Sequence, residues 1–111
     1  MTGVPQKIAV FTGTRAEYGL LKPLLFGLQR RAEFDLQLIV SGAHLSADHG
    51  ATWREIAADG FSITAKVDMN LSGDDPVAIT GALGRGLQGF GGALADLQPD
   101  ALMLVGDRYE V

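Results

Sequence analysis

The chain reads as an α/β protein with a Rossmann-like parallel sheet, in the order β-α-β-α-β-α-β. Three observations predict this. Short, uniformly apolar runs such as Ile8-Ala9-Val10-Phe11 have the pattern of strands covered on both faces. Between the strands, apolar residues recur at helical spacing, as in Leu20, Leu21, Leu24, Leu25 and Leu28. The two patterns alternate strictly, which implies a parallel sheet with right-handed crossovers.

The first strand is read over 8–12. In the helix that follows, Arg30-Arg31 suits the negative C-terminal end. Pro23 is tolerated in a first turn, so the regular helix is expected to begin near Leu21 or Lys22. A second apolar strand, 36–40, is ended by Ser41-Gly42. Trp53, Ile56 and Ala57 mark a short helix stopped by Asp59-Gly60. Alternation of Phe61, Ile63, Ala65 and Val67 predicts a third strand nearer an edge. A polar loop holding Ser72-Gly73-Asp74 follows, then Asp75 as N-cap and Pro76 as N1 of a long helix to Leu97. Pro99-Asp100 breaks that helix before a fourth strand, 101–105. A fourth strand with no covering helix after it suggests a partial N-terminal domain, 1–111, of a longer protein.

A length of 111 residues allows one domain at most. Hydrophobic residues make up 47%, enough for a buried core. Lys and Arg total 9 against 13 for Asp and Glu, so the basic footprint of a nucleic-acid binder is missing. Cysteine is absent, which excludes disulfides, thiolate metal sites and a Cys nucleophile, and fits a reducing cytosol. No apolar run approaches the roughly 20 residues that a membrane span needs. The polar start, 1–7, lacks the apolar segment of a signal peptide. The expectation is a cytoplasmic protein with neither a nucleic acid nor a membrane as partner.

Three of the four strands empty into Gly plus polar residues: Gly13-Thr14-Arg15, Gly42-Ala43-His44 and Gly106-Asp107-Arg108. Any one of these is ordinary βα loop chemistry. In a parallel sheet all three fall on one edge, the edge where open α/β sheets bind ligands. Arg15 and Arg108 suit phosphate, because a guanidinium offers forked donors to its oxygens. The N-terminus of the first helix adds a preference for anions.

Other motifs carry less. Gly84-x-Gly86-x-x-Gly89 matches the dinucleotide fingerprint in spelling, but it lies inside a helical run and does not follow a strand. Its glycines are expected to allow close packing on the sheet. His44, Asp48 and His49 do not have a strong zinc spacing. Capping or substrate contact is the better reading, with His44, at the strand end, the functional one. Trp53 is expected in the core or between helix and sheet.

Taken in order, several segments resemble the hydrolysing UDP-N-acetylglucosamine 2-epimerases of sialic-acid and related nonulosonate pathways. They are Thr12-Gly13-Thr14-Arg15-Ala16-Glu17-Tyr18-Gly19-Leu20-Leu21, Ser41-Gly42-Ala43-His44-Leu45-Ser46, Asp59-Gly60-Phe61, Pro99-Asp100 and Gly106-Asp107-Arg108-Tyr109-Glu110. The resemblance implies a two-domain, glycosyltransferase-B-like architecture with the active site in the cleft between domains. It implies that Asp107 is catalytic, that Arg15 contacts the phosphates of a UDP-sugar, that Arg108 does likewise or orders the site, that His44 lines the sugar pocket, and that Glu17 positions the sugar or Arg15. The implied reaction needs no cofactor and no metal: UDP is eliminated and water is added, releasing N-acetylmannosamine. A homo-oligomer is the expected full-length form, and the 111 residues alone are expected to be inactive. Two alternatives stay open: a related enzyme acting on a diacetamido sugar or transferring a glycosyl group, and a non-catalytic α/β ligand-binding module.

Overall fold

The structure, a computed structural model, describes residues 4–45, 52–69 and 73–106. Four parallel strands form one sheet: β1 (Gln6–Thr12), β2 (Phe34–Ser41), β3 (Ile63–Val67) and β4 (Ala101–Met103). Their spatial order is β3-β2-β1-β4. The helices are α1 (Arg15–Arg30), α2 (Trp53–Ala58) and α3 (Pro76–Leu97), with a 3₁₀ turn over Gly42–Leu45. The β-α-β-α-β-α-β Rossmann-like reading is therefore correct.

Strand alternation sends successive residues to opposite faces, and both faces are covered. Ile8, Val10, Leu38 and Val40 pack with Tyr18, Leu21, Leu25 and Leu28 of α1 and Ile56 of α2. Ala9, Phe11, Ile39 and Val67 pack with Phe90, Ala93, Leu94 and Leu97 of α3. This three-layer arrangement explains why residues 8–11 of β1 and 38–40 of β2 are apolar throughout and do not alternate. It also explains the alternation in β3, which lies at an edge, as its pattern predicts.

Several boundaries differ from expectation, β1 among them, which begins at Gln6. β2 begins two residues earlier, at Phe34, and β4 pairs with β1 only over Ala101–Met103. Phe61 is buried but precedes β3, which starts at Ile63. The largest difference is α1, which starts at Arg15, not near Leu21. Thr14 has extended backbone and its hydroxyl accepts the Glu17 N–H at 3.2 Å, an N-cap that competes successfully with the Pro23 signal. Pro23 is accommodated inside the helix. The bond it cannot make is to the Gly19 carbonyl, and both residues are exposed, so water can serve that carbonyl.

The reading of α3 holds at both ends. Asp75 caps it by accepting the Ala78 N–H at 2.9 Å, with Pro76 at N1. Asp100 then anchors β4: its carboxylate accepts the Lys7 N–H, and its own N–H donates to the Lys7 carbonyl, both at 2.8 Å. The Gly84-x-Gly86-x-x-Gly89 run is mid-helix, as expected. A Cβ on Gly86 would meet Met69 at 3.2 Å, and one on Gly89 would meet the Val67 Cγ1 at 2.7 Å. Gly84 faces open space. Among the described residues, no helix is long and apolar enough to cross a membrane.

The same substitution should therefore have opposite signs along α3. Gly89→Ala is expected to destabilise by about 1–3 kcal/mol through overpacking against a stiff β-branched neighbour. Gly84→Ala is expected to stabilise by about 0.5–1 kcal/mol through helix propensity. Urea denaturation midpoints of the two variants check this pair.

Candidate functional site

Strands β2 and β3 lie to one side of β1 and β4 to the other. The connections therefore diverge between β1 and β4. In an open α/β sheet such a switch point leaves a crevice at the carboxyl ends of the strands. The loops after β1 and β4 flank it, and these are the Gly13 and Gly106 loops.

The loops after β1 and β2 touch one another through backbone. Gly42 has φ +60°, and a Cβ there would lie 2.7 Å from the Gly13 carbonyl oxygen. Only glycine allows that approach without a shift. The Gly13 N–H in turn donates to Glu17 Oε1 at 2.9 Å. Thr14-x-x-Glu17 is thus a capping box in which the carboxylate reaches one residue further back than usual. Glu17 is 5% exposed, and its Oε2 has no hydrogen-bond partner. A buried acceptor left without a donor costs about 1–3 kcal/mol, so this oxygen is held against a penalty.

Arg15 is the first residue of α1, and its side chain is 73% exposed at the crevice edge of the sheet. Its Nε lies 3.1 Å from Glu55 Oε2 on α2. An exposed pair of this kind contributes about 0–1 kcal/mol, so it is readily exchanged for a stronger anion. The helix N-terminus beneath Arg15 has the same preference for negative charge.

His44 is deeper than expected. It has no exposed surface. Its Nε2 lies 2.9 Å from the Thr12 hydroxyl and its Nδ1 lies 2.7 Å from the Thr52 hydroxyl. The Thr12 hydroxyl donates to the Thr14 carbonyl, which leaves it to accept from the Nε2–H. Nδ1 then accepts from Thr52. Burial lowers the His44 pKa to about 4, against the opposing pull of the Thr14 carbonyl and the Glu55 carboxylate. The ring is neutral near pH 7 and cross-links the ends of β1 and β2 to the start of α2. Tyr18 meets it edge-on, with centroids 6.2 Å apart. The Tyr18 hydroxyl donates to Asp59, whose Oδ2 also lies 3.0 Å from Lys22 Nζ. Burial, followed by the Asp59 contact, raises the Tyr18 pKa, and the Tyr18 hydrogen bond lowers that of Asp59.

The structure thus brings Arg15, Glu17 and His44 to one edge, Arg15 open and the other two enclosed. Asp107, Arg108, Asp48 and His49 lie outside the described residues. Among the described residues, no group of three or more His, Cys, Asp or Glu is arranged to hold a metal ion. Trp53 bridges helix and sheet, with Lys66 of β3 3.7 Å above its ring. Sequence reasoning missed Thr52 and Glu55, which hold His44 and Arg15. Neither has a local signal. The Thr14-x-x-Glu17 box was the available sign that Glu17 faces inward.

These features define an α/β protein with a parallel sheet whose switch point lies between β1 and β4 and whose Arg15 side chain is exposed at that edge. The sequence profile of the UDP-N-acetylglucosamine 2-epimerase family matches residues 27–111. The chain belongs to that family. It is 38% identical over 106 residues to the hydrolysing GDP/UDP-N,N'-diacetylbacillosamine 2-epimerase of Campylobacter jejuni, covering 96% of this chain and 27% of that protein. It is 39% identical over 106 residues to the hydrolysing UDP-N,N'-diacetylbacillosamine 2-epimerase of Legionella pneumophila, covering 96% and 28%. Identity to the UDP-N-acetylglucosamine 2-epimerase of Neisseria meningitidis is 31% over 105 residues, covering 95% and 27%. A crystal structure of the Neisseria meningitidis UDP-GlcNAc 2-epimerase, bound to UDP-GlcNAc, superposes with a TM-score of 0.73 at 16% identity, covering 95% and 27%. That likeness establishes the fold. The chain spans little more than a quarter of the length of these relatives.

The His44 cross-link sets a pH dependence. Its folded pKa of about 4 lies below the ordinary histidine value of 6.5. The unfolded chain therefore takes up the proton first, and stability is full above about pH 6.5 and declines toward pH 4. His44→Ala is expected to lose this slope and to cost about 3 kcal/mol at pH 7 from the lost cross-link and the cavity. Urea midpoints measured between pH 7 and pH 4 check both.

Proposed function

We propose that the full-length protein is a hydrolysing 2-epimerase of a UDP-linked 2-acetamido sugar, with UDP-N-acetylglucosamine as substrate and N-acetylmannosamine and UDP as products. The observation that carries this is the pairing of β4 beside β1 at the switch point, in a chain of this family. That pairing sets the Arg15 turn alongside Gly106, from which the chain continues into Asp107 and Arg108.

In this reading, a base removes the C2 proton as the C1–O bond to UDP breaks, giving a 2-acetamidoglucal. Water then adds across the double bond and C2 takes a proton from the opposite face. Asp107 is the proposed catalytic carboxylate. Arg15 and Arg108 receive the charge that grows on the departing diphosphate, where preorganised donors act most strongly. Arg15 exchanges its Glu55 contact for phosphate, and the N-terminus of α1 adds to the attraction. His44 supports the sugar-side loop from beneath, through Thr12 and Thr52. The reaction is proposed to take place in the cytoplasm, in a homo-oligomer whose second α/β domain closes the cleft.

A second reading is favoured by the identities. The two diacetylbacillosamine enzymes are 38% and 39% identical to the chain, against 31% for the Neisseria UDP-N-acetylglucosamine enzyme. The same elimination and hydration would then act on UDP-N,N'-diacetylbacillosamine. Supplying the full-length protein with each UDP-sugar and following products by NMR separates the two. Release of UDP from neither sugar overturns both and favours a ligand-binding module.

Asp107→Asn in the full-length protein is expected to lower kcat by about a hundredfold or more, as for loss of a general base, while calorimetry still registers UDP-sugar binding. Arg15→Ala is expected to weaken that binding and to slow turnover as well. The 111 residues alone are expected to release no UDP, which a coupled UDP assay checks.

A further inference from the structure

We propose that Glu17 is a positioning residue whose carboxylate sets the distance between the β1 turn and Gly106 in the loop after β4. This rests on the reading above that those loops form the reaction site. Backbone pairing between β1 and β4 runs only from Ile8 with Ala101 to Val10 with Met103. Beyond Val10 and Met103 the ladder does not space the two chains, yet the loops that matter begin there.

Glu17 occupies that gap. Its Oε1 accepts the Gly13 N–H at 2.9 Å, which fixes it to the β1 turn. Its other side lies against Gly106. A Cβ built on Gly106 would sit 2.5 Å from Oε2, 3.2 Å from Cδ and 3.3 Å from Cγ. The carboxylate therefore fills the space over the Gly106 α-carbon. Gly106 itself has φ +108°, a conformation that side-chain-bearing residues rarely adopt. Two glycines and one carboxylate thus form a stack, Gly13–Glu17–Gly106, across the switch point.

Three features favour a spacer over a ligand contact. Glu17 is 5% exposed, so its face is covered by the loops it separates. Its main-chain N–H is tied to the Thr14 hydroxyl at 3.2 Å, which holds the side chain's base in the first turn of α1. Its Oε2 is an acceptor without a donor, directed at the backbone that leads into Asp107. An apolar residue could fill the space but could not accept from Gly13. Aspartate could accept but is one methylene too short to do both.

The test uses the full-length protein. Glu17→Asp is expected to lower kcat by about a hundredfold, the scale of a 1 Å misplacement. Glu17→Gln keeps the length and the acceptor for Gly13 and is expected to recover most of that loss. Amide hydrogen exchange of the segment 101–106, without substrate, is expected to rise in Glu17→Asp and to return toward wild type in Glu17→Gln. Gly106→Ala pushes on the same contact from the other side and should reproduce the Glu17→Asp pattern; it carries the test if Glu17→Asp does not fold. A rise in KM shared by Glu17→Asp and Glu17→Gln would make the carboxylate a substrate contact and overturn the proposal. Unchanged exchange in Glu17→Asp and Gly106→Ala would overturn it as well. If the wild type turns over neither sugar, the functional reading fails, and the exchange measurements still decide the spacer.

Discussion

Strand β1 exchanges backbone hydrogen bonds along both of its edges, with β2 from Gln6 to Thr12 and with β4 from Ile8 to Val10. Central strands of this kind have no edge to leave unpaired, so their side chains must satisfy two covering layers at once. Ile8 and Val10 face α1 and α2, while Ala9 and Phe11 face α3. The position of β1 also fixes where the chain diverges. Because β2 and β4 flank it, the first and last loops of the described fold become neighbours, although about ninety residues separate them in the sequence.

Polar groups buried at the carboxyl end of β1 give that edge its shape. Thr12, Glu17, Ser41 and His44 are all enclosed there. Most are paired: Thr12 and Thr52 with His44, and Ser41 with the Val67 carbonyl. A buried network with nearly every member satisfied resists deformation, because moving one group strands another. The exposed charge, Arg15, stands on this platform with its backbone fixed by the Thr14 cap.

Strand and helix alternation was legible because burial on two faces leaves long apolar runs, and Asp75-Pro76 is a strong local start signal. The start of α1 was misread for a physical reason. Pro23 disfavours a helix interior, but the cost is limited when the freed carbonyl faces water, and the Thr14 cap with its Glu17 partner outweighs it. The edge that collects the site residues followed from strand polarity alone. Whether a residue at that edge points out or in did not. His44 and Glu17 both read as polar loop residues, and their burial depends on Thr52 and Gly106, far away in the chain. Sequence-local patterns carry no record of such partners.

The approach of Gly42 to the Gly13 carbonyl has one more consequence. At that one contact the spacing is set by bare backbone, while the His44 ring holds the same two loops through Thr12. Neighbouring positions can then change size and chemistry without altering the distance between the loops. A scaffold joined in this way is suited to divergence: side chains around the contact can be substituted while the frame keeps its dimensions.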